Sequence, residues 1–209
     1  MTNDECGMTI YSQISSLRSA SEACAVLWLD FPRSLCKTLS IRRTIFSREV
    51  FDMATLKPGD KAPAFALADQ NNQKRSLADY KGHALFIYFY PKALTPGCTT
   101  QSCNVRDALA ELAPLGVAVV GISPDPPLLQ KQFDEQHGLG FPLLADTEDG
   151  VAEAYGVWGE KSMYGKTYMG ITRSAFLIDA QGKIAQAWYK IRPEETVPEL
   201  RKALGSLQS

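Results

Sequence analysis

The chain of 209 residues is long enough for one well-buried domain, or at most two small ones. Its formal net charge is −1, so no global positive field indicates binding to nucleic acid or to an anionic membrane. The longest apolar run, residues 84–90, is far shorter than the roughly 18 residues that a membrane-spanning helix needs. We therefore expect a soluble protein, located in the cytoplasm, with no nucleic-acid or membrane partner.

The chain has five cysteines, an odd number that excludes a complete set of internal disulfides. No Cys-x-x-Cys occurs, and both histidines, His83 and His137, are distant in sequence from every cysteine. We therefore expect neither a metal site nor a cofactor. In a reducing cytosol most cysteines are inert unless their surroundings activate them. The question is which cysteine, if any, lies in an activating position.

Residues 1–52 differ from the rest of the chain. They carry three of the five cysteines, six basic and six acidic residues, and no sustained helical or alternating pattern. The early acids Asp4 and Glu5 do not fit a secretory signal, and a transit peptide would be poor in acids. We expect a poorly ordered extension, with Met53 as a candidate true start, and one domain over residues 53–209. A targeting role is the alternative.

The first regular elements predict a parallel pair of strands. Residues 84–90 form a continuous apolar and aromatic run, which is typical of a strand buried on both faces, and residues 117–122 form a second one. Between them, an apolar helical face is formed by Val105, Leu109 and Leu112. A strand, a helix and a strand at this spacing indicate a crossover connection between parallel strands.

The second half of the chain predicts two further helices and a hairpin. Asp125 and Pro126 indicate a helix start, and residues 174–178 and 183–189 flank a turn sequence. A final helix carries Val197, Leu200 and Leu204. The pattern predicts an α/β fold with a mixed central sheet, parallel first and antiparallel later, flanked by helices.

Cys98 is the cysteine in an activating position. Thr95 is a good N-cap and Pro96 suits the first helical position, so Cys98 becomes the third helical residue. Unpaired N–H groups and the helix dipole stabilise an anion there, which favours the reactive thiolate. We expect the Thr95 oxygen to accept a backbone N–H, which leaves its proton free to donate towards the sulfur or towards an oxygen close to the sulfur. The loop also leaves the carboxyl end of a predicted strand, where ligands bind in α/β sheets.

Residues 91–98 match Pro-x-x-x-Thr-x-x-Cys, the active-site signature of the peroxiredoxins. The chain resembles one branch of that family, the bacterioferritin comigratory protein or PrxQ group, which also has a second cysteine five residues later, here Cys103. The resemblance covers about residues 55–205. It includes further motifs at 156–161, 165–168, 170–173 and 176–179.

The resemblance implies a thioredoxin-like fold and a thiol peroxidase. Cys98 would be the peroxidatic thiolate, which attacks hydrogen peroxide or an organic hydroperoxide and becomes a sulfenic acid. Thr95 would hydrogen-bond the peroxide, Pro91 would shield the pocket, and Arg173 would stabilise the thiolate and polarise the O–O bond. An arginine that opens a strand is, on the residues alone, more often a solvated edge charge.

The resemblance also implies how the oxidised sulfur is recycled. Cys103 would be the resolving thiol of an intramolecular disulfide, which thioredoxin or glutaredoxin then reduces. An inert core cysteine is the alternative for Cys103. We expect a monomer or a weak homodimer.

Helix geometry sets a condition on that disulfide. Five residues along an α-helix place two Cα atoms about 8.6 Å apart, whereas a disulfide needs them within about 7 Å. The first turns of the helix must therefore unwind after Cys98 is oxidised. The opening should cost little, because the segment is rich in indifferent helix formers: Gly97, Thr99, Thr100 and Ser102.

Two other functions compete with a peroxidase. A disulfide oxidoreductase on the same fold normally uses Cys-x-x-Cys, which is missing here. A peroxide-sensing thiol switch would use Cys98 without turnover. Peroxide consumption coupled to thioredoxin distinguishes the peroxidase from both.

Overall fold

The computed structural model describes residues 55–163 and 165–207. The extension predicted for residues 1–52 lies outside the described residues, as does the predicted domain start at residue 53. The division of the chain at this point therefore stays a prediction. Within the described part of the chain, no helix is long and apolar enough to cross a membrane.

A mixed sheet of seven strands is the centre of the described structure. The described residues form nine strands, seven in this sheet and two in a separate hairpin. In chain order they are β1 Ala66–Asp69, β2 Lys74–Ser76, β3 Ala84–Phe89, β4 Val117–Ser123, β5 Leu143–Ala145, β6 Trp158–Met163, β7 Lys166–Ile171, β8 Ser174–Ile178 and β9 Ile184–Tyr189. The central sheet has the order β2-β1-β5-β4-β3-β8-β9, while β6 and β7 form a separate antiparallel hairpin. The predicted mixed α/β fold is confirmed.

Strand β3 lies in the middle of the sheet, parallel to β4 and antiparallel to β8. This arrangement confirms the predicted parallel crossover. We predicted that the parallel strands come first in the chain and the antiparallel strands later. This order is wrong, because β1 and β2, at one edge of the sheet, already form an antiparallel hairpin. The Asp69 carboxylate closes that hairpin by accepting the backbone N–H groups of Asn71 and Gln73, both at 2.9 Å. Such an Asx turn depends on local polar groups rather than on apolar periodicity.

Helices cover both faces of the sheet. They are α1 Pro96–Leu112, α2 Pro127–His137, α3 Gly150–Ala154 and α4 Thr196–Leu207, with short 3-10 turns at Leu77–Tyr80, Ala113–Leu115 and Pro193–Glu195. Alternate residues of β3 point to opposite faces. Phe86 and Tyr88 join the core under α1, α2 and α4, whereas Leu85 and Ile87 join the core on the other face. The reactive helix α1 thus lies against the aromatic side of the central strand.

The later predicted elements are confirmed with small shifts. Strands β8 and β9 form the expected hairpin, with β9 beginning at Ile184. The three apolar residues predicted for the last helix are buried in the core. Helix α2 begins at Pro127 rather than at Asp125, with Pro126 as its N-cap. Asp125 is outside the helix, because its carboxylate binds the loop between β3 and α1.

Candidate active site

The loop between β3 and α1 is held by a buried carboxylate. The backbone N–H of Ala93 donates to Asp125 Oδ2 at 2.6 Å, and Ser123 Oγ donates to the same oxygen at 2.9 Å. Leu94 adopts a left-handed backbone with φ 60°, which costs a non-glycine residue about 1 kcal/mol or more. The contact with Asp125 helps to hold this shape. Pro91 opens the loop and is half-buried. Its shielding of the Cys98 sulfur stays a prediction.

Thr95 caps α1 through its backbone and not through its side chain. Its backbone is extended and its carbonyl accepts the N–H of Thr99 at 2.8 Å. The Thr95 hydroxyl donates to the carbonyl of Lys92 at 2.9 Å. The expected side-chain cap with a free hydroxyl proton is therefore wrong, because the tight loop brings a closer acceptor to the hydroxyl. A hydroxyl oxygen that donates in this way can still accept a hydrogen bond.

Cys98 is the third residue of α1, as predicted, since the helix begins at Pro96. Only 1% of the residue is exposed, and it packs in the core cluster that contains Tyr88 and Ala93. Arg173 Nη2 donates a hydrogen bond to Cys98 Sγ at 3.2 Å. The sulfur thus has a guanidinium partner and lies in the first turn of the helix.

Arg173 lies between β7 and β8 and is oriented by Gln101, which sequence analysis did not identify. Arg173 Nη1 donates to Gln101 Oε1, while Nη2 of the same guanidinium contacts the sulfur. Gln101 is fully buried, and its Nε2 donates to Thr196 Oγ1 at 3.0 Å at the start of α4. The spacing of three residues from Cys98 places Gln101 on the same helix face, which is the signal that could have indicated it.

Lys161, on strand β6, is a second basic residue at the turn that carries Arg173, and sequence analysis did not identify it. The side chain is half-buried, and its Nζ donates to the carbonyl of Ile171. Burial lowers the pKa of Lys161, and the positive charge of Arg173 lowers it further, while the charge of Cys98 acts in the opposite direction.

Cys103 is half-buried on α1, which is unbroken from Cys98 onward, and both cysteines are free thiols. Beside it, the hydroxyl of Ser102 lies 2.8 Å from that of Tyr88, with both residues fully buried. The Tyr88 ring fits because Gly121 lacks a side chain: a Cβ there would lie 2.9 Å from Tyr88 Oη. Unwinding of the helix through Ser102 would break this hydrogen bond, whose contribution helix propensities do not contain.

The arrangement combines a buried sulfur nucleophile with cationic donors. Across residues 55–163 and 165–207, no group of three or more His, Cys, Asp or Glu side chains could hold a metal ion. A thiolate with a guanidinium at hydrogen-bonding distance is suited to attack an electrophilic atom and to stabilise charge on the leaving group.

Comparisons with known proteins agree with this chemistry. The pattern of the AhpC/TSA family matches residues 58–187. The peroxiredoxin Bcp of Escherichia coli is 53% identical over 132 residues, which are 63% of this chain and 85% of that protein. The peroxiredoxin Bcp of Bacillus subtilis is 43% identical over 150 residues, 72% of this chain and 96% of that protein.

Two solved structures are similar to the described fold. The Xanthomonas campestris bacterioferritin comigratory protein, studied for its alkyl peroxide reduction activity, has a TM-score of 0.66 at 34% identity, covering 69% of this chain and 92% of that one. A cysteine variant of Xylella fastidiosa PrxQ has a TM-score of 0.70 at 28% identity, covering 75% of this chain and 99% of that one. The chain therefore belongs to the AhpC/TSA family and, within it, to the peroxiredoxins of the Bcp and PrxQ group.

Proposed function

We propose that this chain is a thiol peroxidase in which Cys98 reduces hydrogen peroxide and organic hydroperoxides. The observation that carries the proposal is the 3.2 Å contact between Arg173 Nη2 and Cys98 Sγ on the first turn of α1. The guanidinium and the helix N-terminus both favour the thiolate, which is the nucleophilic form of cysteine. The peroxiredoxin relatives support the same assignment.

The first step oxidises Cys98. The thiolate attacks one peroxide oxygen, an S–O bond forms as the O–O bond breaks, and the leaving oxygen takes a proton to depart as water or an alcohol. Arg173 donates to the charge that develops on the peroxide oxygens. The Thr95 oxygen accepts the peroxide O–H, a role that its bond to the Lys92 carbonyl permits. Pro91 limits the access of water to the sulfur.

The second step uses Cys103. Its sulfur attacks the Cys98 sulfenic acid, an S–S bond forms, and the hydroxyl leaves with a proton as water. The first turns of α1 unwind so that the two sulfurs meet, because the intact helix holds the Cα atoms about 8.6 Å apart. A dithiol protein, thioredoxin or glutaredoxin, then reduces the disulfide and becomes oxidised itself.

The remaining assignments come from the sequence. They are a cytoplasmic location, a monomeric or weakly dimeric state, and the lack of nucleic-acid and membrane partners. Each stays a prediction that gel filtration or fractionation can test.

Turnover tests the proposal. With thioredoxin, thioredoxin reductase and NADPH, the wild-type protein should consume peroxide continuously, whereas Cys98→Ser should not. Cys36→Ser is the matched control, because it removes a cysteine outside the peroxiredoxin motif and should retain activity. A single stoichiometric oxidation without turnover would contradict the peroxidase and favour the peroxide-sensing thiol switch.

A further inference from the structure

On one face of the β6–β7 hairpin, the side chain of Lys161 lies beside two paired glycines. Lys161 pairs with Tyr168, and Gly159 pairs with Gly170. Because side chains alternate along a strand, these four residues share one face of the hairpin. A Cβ at Gly170 would lie 3.8 Å from Lys161 Cδ and 3.4 Å from the Tyr168 ring. The lysine stem thus crosses the hairpin over Gly170, at a distance that a side chain there would meet in ordinary van der Waals contact.

The end of this side chain braces the turn that carries Arg173. Lys161 Nζ donates to the carbonyl of Ile171, the buried last residue of β7. The next N–H, that of Thr172, donates to the carbonyl of Val157 at 2.7 Å. Lys161 and Val157 therefore bind the two polar ends of one peptide group, that between Ile171 and Thr172. This peptide group lies one residue before Arg173, whose guanidinium contacts the sulfur on α1.

The half-buried ammonium group of Lys161 lies close to a second positive charge, that of Arg173. Burial and the nearby guanidinium of Arg173 both disfavour the charge on Lys161, so its pKa is lowered. Tyr88, which lies below α1, contributes no charge at neutral pH because burial raises its pKa. Lys161 is therefore a half-buried cation at the turn that carries the second cation, Arg173.

We propose that Lys161 positions Arg173 through the Ile171 carbonyl and so maintains the contact between the guanidinium and the Cys98 sulfur. Lys161 is a positioning residue, because it acts through Arg173, and Arg173 and Cys98 are the residues that contact the peroxide. The importance of Lys161 for catalysis rests on the proposed function. The reactivity of the Cys98 thiol, however, can be measured without peroxide.

The test is the pH profile of Cys98 alkylation by iodoacetamide, read by peptide mass spectrometry in a Cys103→Ser background. Lys161→Met keeps the stem over Gly170 and removes the charge. We expect it to slow alkylation about three- to tenfold on the rising limb of the profile and to leave the high-pH plateau unchanged. Lys161→Arg should restore most of the lost rate. Lys166→Met is the matched control, since it removes an exposed lysine from the same hairpin.

The pH profile of alkylation distinguishes the loss of the Lys161 charge from a change in access to the sulfur. An unshifted profile in Lys161→Met would overturn the inference, and so would an equal slowing at every pH, which would indicate changed access to the sulfur. Equal shifts in Lys161→Met and Lys166→Met would also overturn it, because they would show a general effect of net charge. Peroxide turnover by the wild-type protein, measured separately, decides the proposed function independently of these outcomes.

Discussion

The hydroxyl groups of Tyr88 and Ser102 lie 2.8 Å apart beneath α1, in the part of the helix between the two cysteines. Both residues are fully buried, so neither hydroxyl has water as a substitute partner in the closed helix. If the helix unwinds through Ser102, the Tyr88 hydroxyl loses this partner while its ring stays in the core. Leaving such a group unpaired costs about 1–3 kcal/mol. The bond therefore opposes the opening that a Cys98–Cys103 disulfide needs.

Ser102→Ala should make the opening easier. The Tyr88 hydroxyl is then unpaired in both states, so opening no longer breaks a bond. We expect amide hydrogens in residues 97–104 of the reduced protein to exchange about five- to tenfold faster, a change of about 1 kcal/mol. Thr100→Ala, which removes an exposed hydroxyl from the same helix, should leave exchange unchanged or slow it. Equal acceleration in both variants would contradict a specific role of the Tyr88 contact.

Oxidation itself should open the same segment. Amide protection across residues 97–104 should be high in the reduced protein and lost once the Cys98–Cys103 disulfide forms, because the bond cannot close on an intact helix. Hydrogen exchange with mass spectrometry compares the two states directly. Identical protection in both would refute the unwinding and would indicate that the reductant attacks oxidised Cys98 itself.

Arg173→Lys should slow the reaction with peroxide while the fold remains. Lysine keeps the charge but lacks the planar fork whose two nitrogens contact Cys98 and Gln101. We expect the second-order rate constant for peroxide to fall by about two orders of magnitude, with little change in melting temperature. Arg192→Lys is the control, because it makes the same change at an exposed arginine. Wild-type kinetics in Arg173→Lys would show that the guanidinium is not required.

Apolar patterns predicted the elements that form the core of the sheet. Strand β3 and helix α1 follow from continuous and helical apolar runs, and the buried side chains of these elements agree with the predicted faces. The position of Cys98 followed from local capping rules for Thr95 and Pro96, which depend on adjacent residues only.

The residues that complete the site could not be predicted in this way. Gln101 and Lys161 contact Arg173 or its turn only after distant segments meet, and neither has an apolar period to mark it. The Thr95 hydroxyl was assigned the wrong partner, because the competing carbonyl of Lys92 depends on the shape of the loop. The contact between Tyr88 and Ser102, which opposes the opening of α1, is likewise not contained in propensity scales.

A chain that begins at Met53 should fold and work like the full chain. It contains every predicted element and every residue of the proposed site, so melting temperature and peroxide turnover should stay close to the full-length values. Differential scanning calorimetry and the coupled assay measure both. A melting temperature lower by more than about 3 °C, roughly 1 kcal/mol for a domain of this size, would mean that residues 1–52 stabilise the domain.

The most direct test of the central claim maps where one oxidising equivalent is placed. Reduced protein is treated with one equivalent of hydrogen peroxide, blocked with iodoacetamide, digested and analysed by mass spectrometry. The wild-type protein should contain a Cys98–Cys103 disulfide, and Cys103→Ser should contain a sulfenic acid on Cys98 that dimedone traps. Oxidation that falls on Cys6, Cys24 or Cys36 while Cys98 stays reduced would contradict the assignment of Cys98 as the peroxidatic cysteine.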